Sequence, residues 1–425
     1  MQIASIKRNI PRLNKLLKLV AHFFSFQILI QATDAFSGLL IVRQLSKPEY
    51  AYFGIASTLS VSILNIAIGG LGSYLIAEGV SLKEQLPVFS KMYAEVYNFI
   101  NKKKWIIIGL SVPVIVFMLH RNSLGNYRTA GFIAIITIDV LIRVRMQLYQ
   151  SVFNIWERFN TLQAINLSGS AARLLLVFAF GRFFTAETAY LSIVLSYAVQ
   201  LAVLLYYGKQ FISPVTNLDK NRYPDLQKLY VSQLPGNLYT YFDAQLGVYI
   251  VIFFGNISLL ADLNAASKLS LIVVAVNAFI NNFMVVQFAK ISSKLKFIKF
   301  LLVTCSFFIF IYLVAVFLIA KFPMLFIFLI GEKYSNIAPL LYLVVINICI
   351  GNFSGLIYSI NYSKIWIKKV WISIPVTILL QIIMLKYMPP KDFSHVWYYA
   401  MVTAVPTLCV NIYFCIKGIK QLPAK

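Results

Sequence analysis

Asp34-Ala35-Phe36-Ser37-Gly38-Leu39-Leu40-Ile41-Val42 reads as the middle of an apolar helix with a carboxylate set into it. The pattern returns 209 residues later as Asp243-Ala244-Gln245-Leu246-Gly247-Val248-Tyr249-Ile250-Val251, identical at five of nine positions. Downstream, Ala56-Ser57-Thr58-Leu59-Ser60 matches Ala266-Ser267-Lys268-Leu269-Ser270 after a one-residue gap. Ile and Val coincide readily in apolar helices, whereas aligned intramembrane aspartates and glycines do not. The spacing implies an internal repeat. It divides the chain into halves 1–208 and 230–425, joined by a polar linker at 209–229.

Composition says what surrounds these halves. A soluble chain of 425 residues would hold two or three domains, but here 60% of residues are hydrophobic and 12% charged. Soluble chains carry about 45–50% and about 25%. Mean hydropathy is +0.78. More apolar surface is present than a water-facing globule can hide, so the chain is expected to be an integral membrane protein in the lipid bilayer. A helix crossing the hydrocarbon core needs about 20 mostly apolar residues. That ruler places spans near 19–43, 50–78, 104–120, 129–154, 162–182 and 185–208, then near 230–255, 258–288, 298–321, 337–361, 367–388 and 396–416. Residues 322–330 are too short to cross alone and join the ninth span as an interfacial or re-entrant piece. The runs lack the alternation of a membrane barrel. The expected fold is an all-α polytopic protein of twelve transmembrane helices, in two six-helix lobes related by a parallel repeat.

The net charge of +24 has a topological reading. Loops on the side of the N-terminus hold 25 of the 38 basic residues, the opposite loops 9, and the spans 4. Lys and Arg collect in cytoplasmic loops, which places both termini in the cytoplasm. No nucleic-acid partner is needed to explain the excess. The N-terminal basic cluster leads into an apolar run without a cleavage-like end, so an uncleaved first span is expected. Cys305, Cys349, Cys409 and Cys415 lie in apolar segments without metal-like spacing, and reduced, buried thiols are expected. No cofactor is indicated. The absence of a G-x-x-x-x-G-K-[ST] loop leaves an ion gradient (H+ or Na+) or the substrate's own gradient as the energy source for uphill transport.

Charged groups at mid-bilayer are costly and usually face an internal cavity or a partner. Asp34, Asp139, Arg143, Arg145, Arg173, Asp243 and Lys268 fall within the spans. Asp139 and Arg143 stand four apart on one helical face and can neutralise each other. Arg145 points well away from Arg143 and needs another partner or a wet pore. One reading makes these residues structural ion pairs. The other makes Arg145, Arg173 and Lys268 cationic contacts in a wet cavity, suited to phosphate oxygens. Asp34 and Asp243 then become candidates for ion coupling, since a carboxylate withdrawn from water titrates closer to neutral pH.

Other polar features are weaker. Tyr239 and Tyr241 can stack on sugar rings but equally serve as interface anchors. His22, His120 and His395 lie near span ends, and Gly69-Gly70-Leu71-Gly72 suits close packing or a break in the second span. No nucleophile–base spacing suggests an enzyme.

Three segments resemble a known family. Arg43-Gln44-Leu45-Ser46-Lys47-Pro48-Glu49-Tyr50-Ala51-Tyr52 is similar to the R-x-L-G-x-x-x-Y-G-x-Y/F turn of the polysaccharide flippases, with Ser46 and Ala51 in place of two glycines. Gly69–Gly72 resembles that family's glycine-containing segment, and Leu329-Ile330-Gly331-Glu332-Lys333-Tyr334 its L-x-G-x-x-Y element. The resemblance is to the O-antigen flippase (Wzx-like) group of the multidrug/oligosaccharidyl-lipid/polysaccharide exporter superfamily. It implies a bacterial inner-membrane transporter that moves undecaprenyl-diphosphate-linked oligosaccharide from the cytoplasmic to the periplasmic leaflet. It also implies polymerase and chain-length proteins as pathway partners, and a cationic cavity for which Arg143, Arg145, Arg173 and Lys268 are the candidates. Two alternatives remain: a multidrug exporter of the same superfamily, and a polymerase- or ligase-type membrane enzyme.

Overall fold

Inside hydrocarbon a backbone amide finds no water, so an apolar run must close its hydrogen bonds within itself. The computed structural model of the chain has this form: every regular element among the described residues is helical. The described residues are 25–69, 71–181, 184–213, 223–254, 257–270, 288, 291, 293–364, 366, 373–389 and 391–423. In order, the helices are α1 (Ser25–Gln44), α2 (Lys47–Ile68), α3 (Leu71–Leu82), α4 (Leu86–Arg121) and α5 (Asn126–Ile155). Next come α6 (Phe159–Ala179), α7 (Ala186–Gly208), α8 (Tyr223–Phe254) and α9 (Ile257–Ser267). The chain continues with α10 (Lys294–Lys321), the short α11 (Pro323–Ile330), α12 (Leu341–Ser363), α13 (Ser373–Tyr387) and α14 (Phe393–Gln421).

Eight described helices are long and apolar enough to cross a membrane: α1, α2, α4, α6, α7, α10, α12 with the 3-10 turn before it, and α14. Helix α5 has the length, at 30 residues, but carries Asp139, Arg143 and Arg145 along it. Residues 271–287, most of the expected eighth span, lie outside the described residues, as do 19–24 of the first and 367–372 of the eleventh.

One expectation is narrowed and another changes. Of the two readings of Gly69–Gly72, close packing or a break, the structure has the break: α2 stops at Ile68 and α3 begins at Leu71, with Gly69 at φ +53 between them. The polar stretch 79–104, expected between the second and third spans as a loop, is helical up to Leu82 in α3 and again from Leu86 in α4. Phe89, Met92, Tyr93, Val96, Phe99 and Ile100 are buried at spacings of three and four. One apolar stripe is enough to hold a helix there without a continuous apolar run. The thiols also differ from expectation: all four are free, but only Cys415 is buried, and Cys409 is exposed.

The chain forms two compact units. The first comprises residues up to Ile41, Ala56–His120 and Leu124–Tyr241; the second comprises Val42–Ile55, Arg121–Ser123 and the chain from Phe242 onward. In the first, the amide of Gln200 on α7 donates to Asn166 Oδ1 on α6 at 2.6 Å. A Cβ at Gly169 would stand 2.9 Å from Gln200 Oε1, so a small residue there admits the α7 side chain. Thr185 and Thr188 cap the start of α7 reciprocally. Beside them, Arg128 grips Glu187 through two bonds of 2.5 and 2.7 Å.

In the second unit polar side chains join apolar helices, a common device where lipid supplies no hydrophobic contrast. Asn411 Nδ2 on α14 donates to Ser354 Oγ on α12 at 3.1 Å, and Asn361 Nδ2 donates to the Asn411 carbonyl at 2.8 Å. Helix α10 buries Thr304, Phe308 and Tyr312 along one stripe. It leaves Leu302, Phe310 and Leu313 exposed, as a lipid-facing helix should.

Candidate functional site

The first unit gathers four of the seven intramembrane charges into one polar seam. Asp139 on α5 is fully buried. Its Oδ2 accepts hydrogen bonds from Arg143 at 2.5 Å, Ser60 Oγ at 2.5 Å and the Tyr190 hydroxyl at 2.6 Å. Arg143 also donates to Ser60 Oγ at 2.8 Å. Three helices thus supply donors to a single carboxylate, which is what an anion in an apolar interior requires.

The seam continues through Tyr197 on α7. The Arg143 guanidinium lies 5.2 Å from the centre of the Tyr197 ring, and that of Arg173 on α6 lies 5.4 Å from the same centre. Arg173 Nη1 then stands 3.2 Å from Asp34 Oδ1 on α1. Two carboxylates therefore face two guanidinium groups, with an aromatic ring shared between the cations. The two ion pairs differ in access to solvent. The Arg143 and Asp139 side chains are 11% and 0% exposed, and those of Arg173 and Asp34 are 17% and 27% exposed. The inner pair is closed off, and the outer pair is partly exposed.

Arg145 is elsewhere. It is exposed, 5.9 Å from the centre of the Tyr97 ring on α4, and no carboxylate among the described residues pairs with it. Lys268 is half-buried in the 3-10 turn after α9, in the second unit. Asp243 is on α8, and its side chain lies outside the described part of the structure. Among the described residues no three His, Cys, Asp or Glu side chains cluster to hold a metal ion.

The sequence reading missed Ser60, Tyr190 and Tyr197 as partners, although Ser60 belongs to the repeated Ala56–Ser60 stretch. It also missed Asp262, a carboxylate within the expected eighth span and 5% exposed. Asp262 Oδ1 is 2.8 Å from Lys47 Nζ, and its Oδ2 accepts from Asn336 Nδ2 at 3.0 Å. Around that pair Lys333 Nζ donates to the Leu45 carbonyl, and the Tyr50 hydroxyl donates to the Asn264 carbonyl at 3.3 Å. Tyr50 also meets Tyr334 edge-on, with ring centres 6.5 Å apart. Two of the stretches that carry the resemblance, Arg43–Tyr52 and Leu329–Tyr334, are thus packed together in the second unit.

No protein-family model matches the chain, and a comparison with curated protein sequences finds no match. Solved structures do match. A multidrug resistance MATE family transporter of the MOP superfamily, in an inward-facing conformation, superposes with a TM-score of 0.63 at 14% identity, covering 92% of this chain and 96% of that one. The lipid II flippase MurJ in an inward closed conformation gives 0.69 at 15% identity, covering 94% and 88%. The eukaryotic MATE transporter AtDTX14 gives 0.60 at 13% identity, covering 95% and 98%. Over nearly its whole length the chain has the fold of these transporters.

Proposed function

We propose that this protein is a flippase that carries undecaprenyl-diphosphate-linked oligosaccharide across the bacterial inner membrane by alternating access. The observation that carries the reading is the accessible Arg173–Asp34 pair beside Tyr197 and Arg143, in a chain with the fold of solved transporters that include a lipid II flippase. An anionic headgroup at mid-bilayer faces a large desolvation barrier unless cations meet it. Arg173 is placed to exchange the Asp34 carboxylate for a diphosphate oxygen, and Arg143, Arg145 and Lys268 add cationic contacts along the route. Asp34 and Asp243 are the proposed coupling sites for H+ or Na+. In this reading twelve spans form two six-helix lobes, 1–208 and 230–425, with both termini cytoplasmic. The prenyl tail stays in lipid, and a polymerase with its chain-length protein takes the product.

The test is leaflet location. A strain lacking this gene should trap short lipid-linked sugars on the inner leaflet, and restoring the gene should release them. Accumulation on the outer leaflet instead would overturn the reading in favour of a polymerase or ligase.

A second reading is a multidrug exporter, favoured by the MATE transporters among the structural matches. Cationic drugs fit poorly against the unpaired Arg145. Drug-stimulated ion flux, with no response to lipid-linked sugar, would decide for it.

A further inference from the structure

A cavity of about 310 Å³ opens in the first unit between α4, α5 and the segment after α7, apart from the Asp34–Arg173 pair. Its α4 wall is Ser90, Tyr93, Ala94, Tyr97 and Asn98, spaced three and four apart, so one helical face is turned into it. Its α5 wall is Arg145 with Tyr149 one turn on, and Ser213 N–H ties the third side to Ser90 Oγ at 2.8 Å. Tyr93 lies parallel to Tyr97 with ring centres 6.4 Å apart, and edge-on to Tyr149 at 5.6 Å. Among the described residues, the lining has one guanidinium, three phenols, an amide and hydroxyls, and no carboxylate.

Helix α4 has 36 residues and is about 54 Å long at 1.5 Å per residue, against roughly 30 Å of hydrocarbon. The surplus falls before Lys102-Lys103-Lys104, on the side that the charge bias assigns to the cytoplasm. On that assignment the cavity stands at the inner membrane boundary. We infer that it is a loading site for the glycosyl-diphosphate headgroup of an inner-leaflet lipid: Arg145 takes the phosphate oxygens, while Tyr97 and Tyr149 pack on the first sugar and Asn98 bonds its hydroxyls. A guanidinium grips phosphate through paired donors, and the volume suits a headgroup at the low end of the roughly 300–1,000 Å³ typical of ligand sites. The prenyl chain does not fit and remains in lipid. This inference rests on the flippase reading and gives that substrate its point of entry.

The full chain in phosphatidylcholine nanodiscs is titrated with four probes, read by native mass spectrometry. They are a short-chain prenyl-diphosphate N-acetylhexosamine, the same prenyl diphosphate without sugar, soluble N-acetylhexosamine 1-phosphate, and phosphatidylglycerol. Arg145→Ala should weaken the glycosylated lipid at least tenfold, with Arg145→Lys recovering part of the loss. Tyr97→Leu should weaken the glycosylated lipid but leave the bare prenyl diphosphate within twofold, which also shows that the variant is folded. Unchanged binding in Arg145→Ala, or phosphatidylglycerol competing as well as the glycosylated lipid, overturns the site. Soluble sugar phosphate binding as tightly as the lipid-linked form overturns the lipid headgroup as occupant. Failure of the flippase reading looks different, because the deletion strain would then move lipid-linked sugars normally while these affinities still respond to Arg145.

Discussion

Lys47 Nζ stands 2.8 Å from Asp262 Oδ1, although the two residues lie in opposite halves of the sequence. Asp262 is almost wholly buried, and Lys47 keeps some contact with solvent. Breaking a buried pair strands a charge at roughly 3–5 kcal/mol. Here Asn336 still donates to Asp262, so Lys47→Ala is expected to cost less, about 2–3 kcal/mol. The check is the apparent melting temperature in detergent for Lys47→Ala, Asp262→Asn and the double variant. The double variant should be more stable than Lys47→Ala alone, because the stranded charge is gone. Strictly additive losses would mean that the pair contributes nothing.

The Asp139 seam should show a graded response. Tyr190→Phe removes one of three donors to the carboxylate, a loss of about 1.5–3 kcal/mol for a hydrogen bond to a charged group. Asp139→Asn leaves Arg143 buried without its counter-charge, at roughly 3–5 kcal/mol. Folded protein recovered from the membrane should therefore fall moderately in the first variant and severely in the second. Equal yields would show that the seam is not a lock.

Gly69→Ala is expected to destabilise by about 1–3 kcal/mol, the range for a residue forced into an unfavourable backbone region. Gly69 has φ +53, and an added Cβ would stand 2.2 Å from the Tyr230 ring. The Tyr230 hydroxyl donates to the Ile66 carbonyl at 2.7 Å, so the ring that would have to move also anchors the end of α2. Gly38→Ala is the control, because nothing among the described residues lies within 4 Å of a Cβ there. A thermal scan should separate the two, and equal melting temperatures would remove the constraint assigned to Gly69.

The sequence made the membrane environment and the Asp139–Arg143 pair legible for a simple reason. Apolar run length and i,i+4 spacing are local properties, and no tertiary information is needed to read them. What it hid was non-local. Nothing near Tyr197 indicates that two guanidinium groups from other helices converge on its ring, and nothing near Lys47 points to Asp262. The start of α4 was hidden differently: its apolar residues form a stripe, and a search for continuous apolar runs passes over stripes.

The Asp34–Arg173 pair leads to a prediction about energy coupling. Asp34 Oδ1 stands 3.2 Å from Arg173 Nη1, so under the proposed function a diphosphate must compete with it. In that reading, neutralising Asp34 cancels the competition and frees the guanidinium, and by linkage a coupling ion at Asp34 and the substrate favour each other equally. Asp34→Asn fixes the neutral state. Translocation of a fluorescent lipid-linked sugar in proteoliposomes should then proceed without responding to an imposed pH gradient, whereas the parent protein accelerates with it. Arg173→Ala removes the cation and should slow translocation at least tenfold with or without the gradient, since charge-assisted hydrogen bonds are worth roughly 1.5–3 kcal/mol. A gradient response that survives in Asp34→Asn would confine this pair to a structural role and leave Asp243 as the remaining candidate for coupling.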